Sequence, residues 1–366
     1  MRMVWLGILL IISTTAVADS SGSVIARHWP MHPSNTQAVT FEATAVADRI
    51  ILSYERFLLS GGPDSTHMQI PVEAKTIVKT CDPKGSTTII TCTYMMPVAF
   101  PASSLITYTA TAVHRGAVST RETYSFAAGD YPWPDDPIPI RLKGDTKSKL
   151  DTVFIPADID VALFRSQLDE VIDFYFRYEP LRFWRGLHNF WYSGQEGKYP
   201  AYCQFENPAN YANLHVIADA VAFLHQSDVR NCTNIPRMSS KIDSEKTIVH
   251  ENSHSMYRLQ DEYCCNTNYK PQACAPNIYA SLAACQADAQ ALGYPPSYCT
   301  QLTYETTIKE IWRIDPGNSH GPERPCIMGP NENNQSSVFG AACLRRLNWR
   351  YRKCLAGECM TDPECP

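Results

Sequence analysis

Two histidines four residues apart, His250 and His254, stand in the stretch TIVHENSHSMYRLQDEY (247–263), with Glu251 directly after the first. On a helix, positions i and i+4 lie on one face, one turn apart. Two imidazoles placed that way can bind a single Zn²⁺, each at about 2.0–2.1 Å. Glu251 is too close in sequence to serve as a third ligand, but it can reach a water on the ion. Zinc makes that water acidic and a carboxylate takes its proton. The hydroxide then attacks a peptide carbonyl polarised by the same ion, and the glutamate passes the proton to the leaving amine. This chemistry requires H-E-x-x-H, not merely two histidines.

A catalytic zinc takes three protein ligands and keeps one position open. Three residues are candidates for the third ligand: Asp261, eleven positions after His250, Glu262, twelve after it, and His320 in PGNSHGPERPC. Asp261 is favoured, then Glu262, then His320. For either acidic residue to fold back, the helix, which starts near Ser244, must end or bend after about Tyr257.

The elements that position this motif are legible as pattern. LDTVFIPADI (150–159) predicts an apolar strand. The following segment, 160–180, carries Phe164, Leu168, Val171, Ile172 and Tyr175 at helical spacing. LHNFWYSG (187–194) predicts another strand, and 214–228 a helical turn and then a buried strand. Strands alternating with helices give an α/β (α+β) domain, expected over 149–350. His188, His215 and His225 fall inside these apolar stretches and are expected to be core or edge histidines. Ahead of this domain, 30–130 is rich in Thr, Val, Ile and Tyr between Gly, Pro and Asp turns, which predicts a small all-β, sandwich-like domain. The proline-rich 131–148 has linker composition, and 351–366 is a cysteine-rich tail.

The chain has 366 residues, 44% hydrophobic and 19% charged, with a net charge of -5. No basic stripe marks a nucleic-acid surface. Residues 1–18 read as a secretory signal peptide: Arg2, an apolar run from Met3 to Ile12, then Ala16-Val17-Ala18. No later segment is apolar for long enough to cross a bilayer. Fourteen cysteines in a secreted chain predict disulfides rather than zinc–thiolate sites. Cys81 and Cys92 stand apart and are expected to close a hairpin; the rest crowd the chain from Cys203 on. Asn231 and Asn334 head sequons for N-glycosylation.

HENSHSMYRLQDEY resembles the H-E-x-x-H-S-x-x-x-L-x-D-E-Y pattern of the IgA-peptidase-type zinc metallopeptidases, a metzincin-like family. DAVAFLHQSD (219–228), FRYEPLRFWRGLHNFWYS (176–193) and PCIMGPNENNQSSVFGAACLRRL (325–347) are similar to the family's segments in the same order, so the resemblance covers roughly 150–350. It implies a metzincin-like fold with one Zn²⁺ per chain, Met328 in a tight turn beneath the ion, and Cys326 paired with Cys343. The chain departs from the family at Ser253 and Tyr257, where glycine is usual. A glycine at the second position permits the left-handed bend that brings round the third ligand. The family's Gly-rich edge segment is replaced by VRNCTNIPRMSSKID (229–243). An insert, 264–299, carries five cysteines including the adjacent Cys264 and Cys265, and a helical middle at about 277–292; it is expected to form a stapled rim or lid near the cleft. The functional expectation is a secreted zinc endopeptidase acting on protein or peptide substrates with Glu251 as general base. The alternative is an inactive extracellular binding module that keeps the fold.

Overall fold

The computed structural model describes residues 24–29, 33, 37–60, 68–82, 88–96, 100, 103–129, 131–133, 135–262, 275–304, 307–315, 326–328 and 339–359. The expected signal peptide, His320, Asn334, and Cys264, Cys265 and Cys274 lie outside these residues.

Seven strands build the N-terminal half: β1 (Ile25–Trp29), β2 (Thr40–Ala47), β3 (Arg49–Ser60), β4 (Met68–Cys81), β5 (Thr88–Met95), β6 (Ser104–His114) and β7 (Ala117–Ala128). They form two antiparallel sheets, ordered β1-β2-β5 and β4-β3-β6-β7. In β2 the inward residues Phe41, Ala43, Ala45 and Ala47 alternate with less buried ones, the period of a half-buried strand. They meet Ile50 and Leu52 of β3 and Ile106, Tyr108 and Ala110 of β6 in one core, where Phe41 stacks on Tyr108 at 4.5 Å between ring centroids. The β6–β7 hairpin turns on Arg115 and Gly116, at φ 52° and 78°. Two successive positive φ values are what a two-residue loop needs to match strand twist. Cys81 and Cys92 are bonded to each other, but they close no hairpin. β4 pairs with β3 and β5 with β2, so the disulfide joins the two sheets.

The second half runs β8 (Ile138–Arg141), β9 (Leu150–Pro156), α1 (Val161–Tyr175), α2 (Glu179–Phe183), β10 (His188–Tyr192), β11 (Lys198–Ala201), β12 (Gln204–Glu206), α3 (Tyr211–Ile217), β13 (Ala220–His225), β14 (Thr233–Asn234), β15 (Arg237–Lys241), α4 (Glu245–Tyr257), β16 (Ile278–Tyr279), α5 (Leu282–Ala291), β17 (Cys299–Tyr304), β18 (Thr307–Ile314) and α6 (Ala341–Leu355). Its main sheet has the order β14-β15-β13-β9-β10-β8, parallel inside with an antiparallel strand at each edge. The buried inner strands alternate by face. Leu150, Phe154, Ala220, Ala222 and Leu224 pack against α1, α4 and α6. Val153, Ile155, Val221 and Phe223 pack against Leu214 of α3 and Tyr199 of β11. Asp160 caps α1, its Oδ1 accepting from the Leu163 N–H at 2.9 Å, and Phe164, Leu168, Val171, Ile172 and Tyr175 are buried as their spacing predicts.

The proline-rich 131–148 is not a free linker. It contains β8, wholly buried, which pairs with β10 while Leu142 exchanges two main-chain hydrogen bonds with Ser125 of β7. Pro139 is tolerated because an edge strand needs only half its donors. α6 crosses the boundary expected at 350 and continues to Leu355 within the cysteine-rich tail, where Cys354–Cys359 closes the turn beyond it. The insert's helix spans 282–291, and its sheet, β16-β18-β17, extends past 299 around a small core of Tyr279, Cys285, Ala289 and Ile314. Cys285–Cys299 staples α5 to β17. Among the described residues no helix is long and apolar enough to cross a membrane.

One buried carboxylate in the main sheet yields a stability prediction. Asp151 accepts from Asn189 Nδ2 at 2.9 Å and Trp191 Nε1 at 2.7 Å through Oδ1, while Oδ2 has no hydrogen-bond partner among the described residues. Burial pushes its pKa up to about 7, against those two hydrogen bonds, with repulsion from Asp219 adding to the rise. The folded pKa exceeds the unfolded one, so the native state holds this proton to higher pH. The associated stability is present below about pH 4 and is lost as pH rises to about 7. Asp151→Asn keeps an Oδ1 acceptor and removes the charge. It is expected to raise stability at pH 8 by roughly 1–2 kcal/mol and to give no gain at pH 4; urea unfolding at the two pH values measures this, and an equal effect at both would refute it.

Candidate metal centre

α4 carries the motif and is buried along nearly its whole length. Ile248, Val249 and Met256 join the main core. The small polar residues let it lie close to its neighbours: Ser253 Oγ turns back to the Val249 carbonyl at 2.7 Å, and Ser255 Oγ donates to the Pro236 carbonyl at 2.5 Å. Ser244 occupies the N-cap, but its hydroxyl donates to Thr247 Oγ1 at 2.7 Å and caps no amide.

The helix ends at Tyr257, and the left-handed residue is the next one, Arg258, at φ 58° and ψ 28°. Tyr257 therefore need not adopt the left-handed bend that a glycine there would permit. Tyr257 stays helical and buried, its hydroxyl 2.7 Å from that of Tyr351. The Arg258 N–H reaches the His254 carbonyl at 3.1 Å and the Leu259 N–H the Ser253 carbonyl at 3.2 Å, a paired closure that satisfies two end carbonyls. Asn277 then grips both main-chain groups of Gln260, accepting at 3.0 Å and donating at 2.7 Å. Asp261 is thereby turned back onto the helix.

The result is a triangle of donor atoms. His250 Nε2 and His254 Nε2 are 3.2 Å apart, and each is 3.2 Å from Asp261 Oδ1. A tetrahedral ion with nitrogen and oxygen ligands at about 2.0 Å needs donors roughly 3.3 Å apart, so the spacing fits zinc. The tautomers fit as well. His250 Nδ1 donates to the Ile327 carbonyl at 2.8 Å and His254 Nδ1 to the Leu259 carbonyl at 2.6 Å. A carbonyl can only accept, so in the neutral rings the lone pairs lie on Nε2 and face the common point. Burial pushes the Asp261 carboxyl pKa up, but the charge of His254 and hydrogen bonds from both imidazoles outweigh it and hold the group well below the ordinary carboxylate range. Burial opposes charging of His254, and Asp261 overcomes that, raising its pKa.

Glu251 is 8% exposed, and its Oε2 accepts from Thr233 Oγ1 at 2.6 Å. Thr233 lies on β14, the outer strand beside α4. Glu262 does not join the triangle. Its carboxylate points toward Cys343 and Asn277, and its N–H donates to the Met328 carbonyl at 2.7 Å. Met328 is fully buried in the main core, next to the Ile327 carbonyl that holds His250. Cys326 and Cys343, expected as a pair, are free thiols with their sulfurs 3.7 Å apart. Asn231 is half-buried with Oδ1 3.0 Å from His225 Nε2, and Cys232 beside it is bonded to Cys203. His188 is a core histidine, 3.0 Å from the Tyr351 hydroxyl, and burial lowers its pKa to about 3. His225 is buried and His215 exposed.

Sequence reasoning missed the orienting groups. The Leu259 and Ile327 carbonyls are main-chain atoms with no residue signature. Thr233 was visible only as the third residue of a sequon, and Asn277 only as part of the insert.

No protein-family model matches the chain, and no curated protein matches it. Among solved structures, the crystal structure of Spo0M, a sporulation control protein from Bacillus subtilis, aligns at 9% identity and a TM-score of 0.21 over 31% of this chain and 51% of that one. The chain therefore spans about half the length of that protein, and a likeness this weak carries no argument about fold or function.

Proposed function

We propose that this chain is a secreted zinc-dependent endopeptidase of metzincin-like fold, similar to the IgA-peptidase-type enzymes. The observation that carries the reading is the triangle of His250 Nε2, His254 Nε2 and Asp261 Oδ1, with both Nδ1 atoms engaged elsewhere. Zinc held by these residues would acidify a water and polarise a peptide carbonyl. Glu251 accepts the water's proton and returns it to the leaving amine. Thr233, by donating to Glu251 Oε2, fixes the carboxylate's direction and leaves Oε1 for the transfer. The cysteines bonded as Cys81–Cys92, Cys203–Cys232, Cys285–Cys299 and Cys354–Cys359 accord with an oxidising compartment.

The test is Glu251→Gln beside the wild type, both offered a mixed peptide library with cleavage read by mass spectrometry. The wild type is expected to cleave, a chelator to stop it, and the variant to keep its zinc without cleaving. Equal silence from two zinc-loaded proteins would favour the second reading, a binding module. One observation favours that reading: β14 is only two residues long, so an extended substrate finds little edge to pair with. A further expected result concerns Thr233. Thr233→Val should lower kcat about 10- to 100-fold at unchanged zinc content, the range for partners that orient functional groups around a metal. Thr233→Ser should restore most of the activity; failure of that rescue would deny the hydroxyl its role.

A further inference from the structure

Asp261 and Glu262 are consecutive yet face opposite ways, and Glu262 meets a second set of donors. Its Oε1 lies 3.0 Å from Cys343 Sγ, which lies 3.7 Å from Cys326 Sγ. The three donor atoms all fall within 4.8 Å of one another. Cys343 is fully buried, Glu262 is 5% exposed and Cys326 is half-buried. The Gly340 N–H points at Cys326 Sγ from 3.3 Å, as it would toward a thiolate.

We propose that Cys326, Cys343 and Glu262 bind a second, thiophilic divalent cation of the Zn²⁺ class. Two thiolates at about 2.3 Å from a tetrahedral ion stand roughly 3.8 Å apart, close to the 3.7 Å between these sulfurs. A disulfide is the competing chemistry, and Glu262 argues against it. Oxidation would remove the thiol that donates to this buried carboxylate and leave Asn277 Nδ2, at 3.3 Å, beside it. A cation instead compensates the carboxylate and both thiolates. Binding releases two thiol protons to solvent and transfers no electrons. Two thiolates and a carboxylate leave one negative charge over a divalent ion, and Arg313, which is ion-paired with Asp315, donates to the Glu262 main-chain carbonyl alongside.

The ion would have a structural task. Cys326 directly precedes Ile327, whose carbonyl orients His250, and Met328, whose carbonyl receives the Glu262 N–H. Cys343 lies in the first turn of α6. Binding there would pin this segment to α6 and keep the His250 ring aligned. The site uses side chains that the peptidase reading does not use, so it stands or falls separately.

The experiment loads chelator-stripped, non-reduced wild-type protein with Co²⁺ alone. Two ions per chain by elemental analysis are expected, with a thiolate-to-cobalt charge-transfer absorption in the near ultraviolet. His250→Ala/His254→Ala should keep that absorption with one ion. Cys343→Ser and Glu262→Gln should weaken or abolish it. Should the cysteine variant not fold, the wild-type spectrum and Glu262→Gln decide. One ion per chain with no charge-transfer absorption would overturn the proposal. So would a Cys326–Cys343 cross-link, two hydrogens lighter, in peptide mass spectra of the untreated protein. A protein that retains the absorption but cleaves no peptide would leave this site standing and remove the peptidase reading alone.

Discussion

Asp261→Ala is expected to weaken zinc binding at the histidine pair by about 10²- to 10⁴-fold and to abolish cleavage with it. Apparent zinc binding energies in protein sites run to about 10–16 kcal/mol. Shared among the ligands, that gives each roughly 3–5 kcal/mol, and each 1.4 kcal/mol is a factor of ten. The alanine removes the anionic member of the triangle and leaves His250 Nε2 and His254 Nε2 facing each other at 3.2 Å. Asp261→Asn keeps the shape, loses the charge and should fall between. Competition titration with a chromophoric chelator measures the loss, and in a Cys343→Ser background, which removes the thiolate site, the visible bands of bound Co²⁺ report on this ion. Glu262→Gln should leave those bands in place. The opposite pattern, with the bands lost in Glu262→Gln and kept in Asp261→Ala, would make Glu262 the ligand and refute the geometry.

The choice between Asp261 and Glu262 shows where sequence stops being readable. The proposed ligand pair followed from helix periodicity alone, because i and i+4 must share a face. The proposed third ligand depends on how the chain leaves the helix, and Arg258 adopts the left-handed conformation without the glycine or asparagine that usually marks it. What holds that exit is tertiary: Asn277, from the insert, fastens Gln260. The same contrast runs through the fold. The helical spacing of α1 and the apolar runs of β9 and β13 encode burial directly, so those elements were legible. β8 was not, because prolines that signal a linker are equally tolerated on a sheet edge, and only the partner strand distinguishes the two. The Cys81–Cys92 bond was legible as a pair, but its course from sheet to sheet was not, since cysteine spacing says nothing about which strands lie between.

Glu122 is another such long-range feature, and replacing it by alanine is expected to destabilise the protein by about 3–5 kcal/mol, the range for removing one partner from a buried ionic cluster. Its carboxylate, on β7, accepts from the Ala26 N–H at 2.5 Å, Lys143 Nζ at 2.6 Å, Arg141 Nη2 at 3.0 Å and Arg185 Nη2 at 3.5 Å. Arg141, Lys143 and Arg185 belong to the second half of the chain, so this anion joins the Ser125–Leu142 main-chain bridge in docking the sandwich onto it. Burial alone would raise its pKa, but Lys143, Arg141 and Arg185 outweigh that and lower it to about 2. One carboxylate cannot compensate three cations equally, and burial lowers Lys143 to about 7 despite the neighbouring charge of Glu122. For Glu122 the folded pKa lies below the unfolded one, so its contribution is complete above about pH 4.5 and is lost as pH falls through about 2. Alanine would strand the buried Arg141 and Lys143 side chains and the half-buried Arg185, and Lys143 would shed its proton more readily, which softens the loss at higher pH. Urea unfolding of Glu122→Ala at pH 6 should therefore show a larger deficit than at pH 9. With the docking contact gone, the single unfolding transition should split as the sandwich and the α/β half melt apart. A deficit under about 0.5 kcal/mol, the size of an ordinary surface substitution, would mean that apolar packing between the halves, and not this anion, holds them together.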